Sequence, residues 1–281
     1  MILVVNADDA GADAARNRGI LRSVREGIVR SASLLVTHPA ATEFARESKA
    51  LPQLSVGLHW NLTEGEPMVP GARSLSGPDG RFLGKQELLR RARLGLLEPR
   101  EAEQELEAQW VRVEELLGKP PAHLDGHNHA HLFPGAAEAV ARVVPPGTWV
   151  RAWTTETPLA ETLNAADCYA DPRQLGALLS LLTQSALALG WDRFRRVQRF
   201  EGTASLNGYD ADDLLTWLQH WSGDGEEIVE LMTHPGDASS HTTGFTAMPA
   251  RTRELKALTD PRVLARAQAL GICLVGFGGL P

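Results

Sequence analysis

Short apolar runs alternate with helical stretches along most of the chain, and this alternation argues for βα units and a parallel sheet. Residues 2–6 form the first apolar run and lead straight into two aspartates. Ile20, Val24 and Ile28 then recur at four-residue spacing, as one face of a helix requires. Residues 33–37 read as a second strand. A helix over 41–50 stops before Pro52, because a proline disfavours helical backbone in the residue preceding it. A third strand covers 54–59. The clearest helix is 99–117, where Ala102, Leu106, Trp110, Val113 and Leu117 make one apolar stripe. Pro99 suits its first turn, and Gly118 with Pro120 ends it.

Further strands are expected at 123–126, 148–152, 228–233 and 272–276, and further helices at 136–144, 172–189, 211–221 and 261–271. Asp210 caps the 211–221 helix, and Asp213 in its first turn is favoured by the helix dipole. The stretch 61–85 is rich in glycine and proline and reads as a lid or binding loop. The pattern predicts an α/β fold, a distorted or incomplete TIM-like (β/α) barrel with about seven parallel strands, as a single domain over 1–281. An open doubly wound sheet is the rival.

Composition narrows this only slightly. A chain of 281 residues suits one large α/β domain or two small ones, and 43% hydrophobic content is ordinary for a soluble protein. A net charge of −7 argues against a nucleic-acid partner. No uncharged apolar run approaches the length of a membrane span, so no membrane partner is expected. The N-terminus reads as a strand and not as a signal peptide. Cys168 and Cys273 have no metal-like spacing and read as buried, inert thiols, which makes a reducing cytoplasm the simplest setting.

Chemistry concentrates where four apolar strands end. At one rim of a parallel sheet or barrel such ends assemble active sites. Asp8 and Asp9 can serve as metal ligand and proton acceptor, or simply as a helix N-cap pair. His59 ends its strand as a ligand or as a satisfied core histidine, with Asn61 and Thr63 placed to hold a ligand or orient it. Trp60 beside it offers an apolar sugar platform or a core residue. His123, Asp125, His127, His129 and His131 crowd nine positions, more than packing explains; a histidine-rich surface loop is the bland alternative. In an extended segment His127, His129 and His131 would share a face. His234 is held at a strand end by Pro235 and Gly236, available as an acid or substrate contact. Arg151 can hold a carboxylate or form a structural ion pair. Arg193, Arg195, Arg196 and Arg199 read as a solvated face. Together these make a mononuclear metal hydrolase the leading hypothesis.

The segments Asn6-Ala7-Asp8-Asp9, Gly57-Leu58-His59 with Asn61-Leu62-Thr63, His123 through His129, and His234-Pro235-Gly236 resemble, in order and across nearly the whole chain, the YdjC-like carbohydrate deacetylases, which include the chitooligosaccharide deacetylases. The resemblance implies a distorted (β/α) barrel and one divalent metal ion, usually magnesium in the family, with zinc also suited to the ligand types. It implies Asp9, His59 and His127 as metal ligands, Asp8 as general base and His234 in an acid or oxyanion role. The expected reaction removes acetyl groups from N-acetylated sugars, chitooligosaccharides or related ones, releasing acetate. Asn61, Trp60, Asp125, His129 and Arg151 are the remaining candidates for substrate binding. Ala10 departs from the family, which commonly has an aromatic residue there, and a wider pocket floor is expected. Some relatives are dimers, so a homodimer is allowed for. The rivals are a metal hydrolase of another amide or a phosphoester, and a catalytically inactive carbohydrate-binding relative.

Overall fold

A computed structural model describes residues 1–153, 172–202, 208–223, 227–237 and 249–281. The elements run β1 (Ile2–Ala10), α1 (Ala14–Glu26), β2 (Ser31–Leu34), α2 (Ala41–Ser48), β3 (Ser55–Trp60), α3 (Lys85–Arg93), α4 (Pro99–Leu117), β4 (His123–Gly126), α5 (Ala136–Val143) and β5 (Trp149–Val150). They continue with α6 (Pro172–Ala188), β6 (Arg199–Glu201), α7 (Ala211–Trp221), β7 (Ile228–Thr233), α8 (Pro249–Leu258), α9 (Pro261–Ala269) and β8 (Cys273–Leu274). The chain forms two compact units, one of Met1–Leu34, Pro39–Gly57 and Val197–Pro281, the other of Leu35–His38 and Leu58–Arg196.

In the first unit β1 lies between β2 and β7, with β6 beyond β7, the start of β3 beyond β2, and β8 paired with the base of β1. In the second, the end of β3 pairs with β4 and β4 with β5. These pairings are parallel. Parallel strands covered on both faces are continuously apolar, and Leu3, Val4, Val5, Ala7 and Ala10 of β1 are all fully buried. The α/β class and seven-strand path match the expected incomplete (β/α) barrel: the path ends at β5 and β6.

α4, α7 and β7 have the boundaries read from periodicity. At α7 the Asp210 side chain accepts from Asp213 N–H while Asp213 accepts from the Asp210 N–H, a reciprocal cap. Other boundaries shift. β1 continues to Ala10 rather than ending at Asn6, and β2 begins earlier, at Ser31. The cap of α1 is Asp13, whose side chain accepts from Arg16 N–H, so Asp8 and Asp9 are not a capping pair. α3, α8 and β6 had no sequence expectation. Cys273 is exposed, contrary to the buried thiol expected, and Cys168 lies outside the described residues.

The 61–85 stretch has no helix or strand of its own before Lys85, apart from a bridge between Ser76 and Phe82. It is stapled to α4: Glu105 accepts from Met68 N–H at 2.9 Å and Val69 N–H at 2.8 Å, and Glu101 accepts from Ser74 N–H at 2.7 Å.

Candidate metal and acid-base centre

The carboxylate half of the candidate site belongs to the first unit. On β1, Ala7 to Ala10 faces Ala32 to Leu34 of β2, so β1 carries one extra residue there, a bulge. Asp9 takes a left-handed backbone, with φ +66°. An aspartate pays for that conformation, and such strain concentrates where function over-determines the backbone. The bulge breaks the alternation that would send neighbouring side chains to opposite faces. Asn6 Nδ2 donates to Asp8 Oδ1 at 2.8 Å and to Ser33 Oγ at 2.7 Å. Asp9 Oδ2 accepts from Arg251 Nη2 at 3.0 Å, with Arg16 Nε 3.9 Å away. Both aspartates are buried.

His234 follows β7 and is half-buried. Its turn is held by backbone groups: His234 N–H donates to Glu254 Oε2 at 2.6 Å, its carbonyl accepts from Arg251 Nη1 at 3.2 Å, Gly236 N–H donates to Arg251 O, and Asp237 N–H to Ala15 O. Burial pushes the Glu254 carboxyl up to about 7, with the His234 N–H and Arg251 pulling the other way.

The histidine half belongs to the second unit. His59, on β3, has Nδ1 at 2.7 Å from Asp125 Oδ1, and Arg151 Nη2 lies 2.8 Å from Asp125 Oδ2. Burial alone would raise the Asp125 carboxyl, but Arg151 and then His59 outweigh it and hold it below the usual carboxylate range. An ionised Asp125 can only accept, so His59 donates from Nδ1, which in a neutral ring leaves Nε2 as the nitrogen able to bind a metal. The His59 and His127 rings sit edge to face with centroids 5.4 Å apart. His127 Nε2 lies 3.2 Å from Glu64 Oε1.

The histidine-rich segment is not extended. Residues His127–Leu132 form a 3-10 turn in which Asn128 (φ +54°) and His129 (φ +58°) are left-handed, so the three histidines do not share a strand face. Asn128 Nδ2 donates to Thr63 Oγ1 at 2.9 Å. His131 is structural: its Nε2 donates to the Arg151 carbonyl at 2.9 Å and its ring stacks on Trp191. Burial pushes its pKa down to about 4. Its ring occupies the space where a Cβ on Gly126 would stand, 2.7 Å from Nδ1. His129 packs edge to face on Trp153, and burial lowers its pKa well below that of an exposed imidazole.

The five residues expected to touch substrate each have a place in the packing or hydrogen bonding of the protein itself. Trp60 is fully buried and offers no face for a sugar. Asn61 is fully buried and organises the loop, donating to Thr37 Oγ1 and Glu64 O and accepting from the Thr63 and Glu64 N–H groups. Gln109 clamps its backbone from α4. Asp125 and Arg151 form a buried ion pair behind His59, and His129 is buried against Trp153. Sequence reasoning missed Arg16, Glu64, Arg251 and Glu254. The 242 positions between Asp9 and Arg251 leave no local signal for that pair.

Strand-end aspartates and a carboxylate-supported histidine are side chains of the kinds that hydrolytic sites use. The family model described as YdjC-like protein matches residues 2–269, and the chain belongs to that family. It is similar to the human carbohydrate deacetylase, 33% identical over 298 residues that cover 100% of this chain and 91% of that protein. It is also similar to the chitooligosaccharide deacetylase of Yersinia pestis (strain Pestoides F), 30% identical over 280 residues and 98% of each chain. Among solved structures, a putative cellobiose-phosphate cleavage protein from Enterococcus faecalis V583 shares the fold, with a TM-score of 0.75 at 23% identity over 98% of this chain and 97% of that one.

Proposed function

We propose that this chain is a metal-dependent carbohydrate N-deacetylase, with Asp9, His59 and His127 holding one divalent cation, Asp8 as general base and His234 as acid. The observation that carries the reading is the donor set. Asp9, His59 and His127 make up one of two groups among the described residues that could hold a metal ion, Asp8, His59 and Asp125 being the other. The first is favoured because Asp125 is committed to Arg151 and to His59 Nδ1. The names of the human and Yersinia relatives support an acetylated sugar as substrate.

One carboxylate and two neutral imidazoles suit zinc by ligand type, and magnesium where waters complete an oxygen-rich shell. Such a cation would polarise the acyl carbonyl and lower the pKa of the attacking water. Asp8, oriented by Asn6, takes the water's proton. His234, held by its backbone, gives a proton to the departing amine. Water adds to the acetyl carbon and the C–N bond breaks, leaving acetate and a free amine on the sugar.

The test is acetate release from short N-acetylglucosamine oligomers, with metal analysis of the purified protein. Asp9→Asn and His127→Ala are expected to lower turnover on the order of a thousand-fold or more while the fold survives, since a bound cation supplies several kcal/mol of transition-state stabilisation. Stability is reduced in Asp9→Asn, because Arg251 loses its buried counter-charge. Full activity of either variant with metal present would remove the site from the reading.

A further inference from the structure

We propose that Arg251, on α8, is a positioning residue that locks the Asp9 carboxylate and the His234 turn into one rigid unit; the proposal deepens the deacetylase reading and rests on it. One guanidinium reaches both groups. Its Nη2 lies 3.0 Å from Asp9 Oδ2 and its Nη1 lies 3.2 Å from the His234 carbonyl. Its own carbonyl accepts from Gly236 N–H, so the arginine grips the turn on both sides of Pro235.

The surroundings leave this unit little room. Arg251 is 4% exposed and Asp9 is 1% exposed. Glu254, one helical turn further along α8, accepts from His234 N–H at 2.6 Å. Gly236 packs on the arginine itself: a Cβ there would stand 3.4 Å from Arg251 Cβ. The planar fork of a guanidinium donates along fixed directions to two acceptors at once, which an ammonium on a flexible stem does not reproduce. By fixing Oδ2, Arg251 sets the direction in which the Asp9 carboxylate faces a cation. By fixing the His234 carbonyl, it ties the acid to the same frame. Groups that orient a metal ligand from behind usually matter 10- to 100-fold for metal affinity or activity.

The test uses the full chain with Arg251→Lys and Arg251→Met. Three readouts are taken: Mn²⁺ affinity by calorimetry, kcat against KM for acetate release at saturating metal, and the imidazole NMR signals of His234 without metal. Both variants are expected to lose about 10- to 100-fold in Mn²⁺ affinity and in kcat, with KM within about three-fold. The His234 signals should move in both. Arg251→Lys keeps the buried charge, so it decides the matter if Arg251→Met does not fold. A folded Arg251→Lys with wild-type Mn²⁺ affinity, kcat and His234 signals overturns the proposal. A wild-type protein that neither binds Mn²⁺ nor releases acetate would sink the deacetylase reading instead, while the His234 signals still report whether the tie exists.

Discussion

Asp125 shows how much one buried residue settles. It neutralises Arg151, fixes the tautomer of His59 and has no exposure of its own. Asp125→Asn leaves a guanidinium buried without its counter-charge, so urea denaturation should show a loss of about 3–5 kcal/mol. His131 gives a pH signature. Its folded pKa of about 4 lies below the ordinary 6.5, so on acidification the unfolded chain takes the proton first. The stability it contributes is intact above pH 6.5 and is lost as pH falls towards 4, amounting to about 3 kcal/mol. His131→Gln should flatten that limb in denaturation curves measured across pH 4–7. The aspartates and histidines could be picked out of the sequence because strand ends followed by turns expose polar groups. Their supporting partners could not be. Arg151 reads equally well as a ligand holder until Asp125 is seen against it, and Trp60 reads as a platform until its burial is known.

At the scale of elements, legibility followed the cleanness of the apolar period. α4 buries Ala102, Leu106, Val113 and Leu117 on one face and carries its own stop signal in Gly118. α8 was invisible because its inward face includes Arg251 and Glu254, charged residues that break an apolar pattern but are paired inside the protein. β6 has three residues, too few for any period to show. Packing between α1 and the His234 turn depends on a missing side chain: a Cβ on Gly19 would stand 2.7 Å from Gly236 Cα and 2.8 Å from Asp237 N. Gly19→Ala gains about 1 kcal/mol of helix propensity but forces backbone apart, at about 1–3 kcal/mol. Reduced stability together with a several-fold fall in kcat is expected from denaturation and steady-state assays, because the turn that shifts carries His234.

Across the molecule, the candidate ligands span residues 9 to 127 and the candidate acid stands at 234, so no local stretch of sequence ties them together. About seven strands and their parallel sense were readable, since βα alternation leaves few other topologies, although β6 and not β8 completes the seven-strand path. Among the described residues, no helix is long and apolar enough to cross a membrane. If the cation site is as proposed, a divalent metal at about 100 times its Kd adds about 2.7 kcal/mol, or roughly 5–10 °C in Tm for a chain of this size. Thermal scans with and without chelator should show that shift in the wild type and not in Asp9→Asn.

The staple between residues 61–85 and α4 carries a consequence for how such an enzyme could acquire new specificity. Glu105 grips amide hydrogens at Met68 and Val69, and any amino acid but proline supplies those. Side chains at these two places can therefore be rewritten while the loop keeps its course, at little cost to the scaffold.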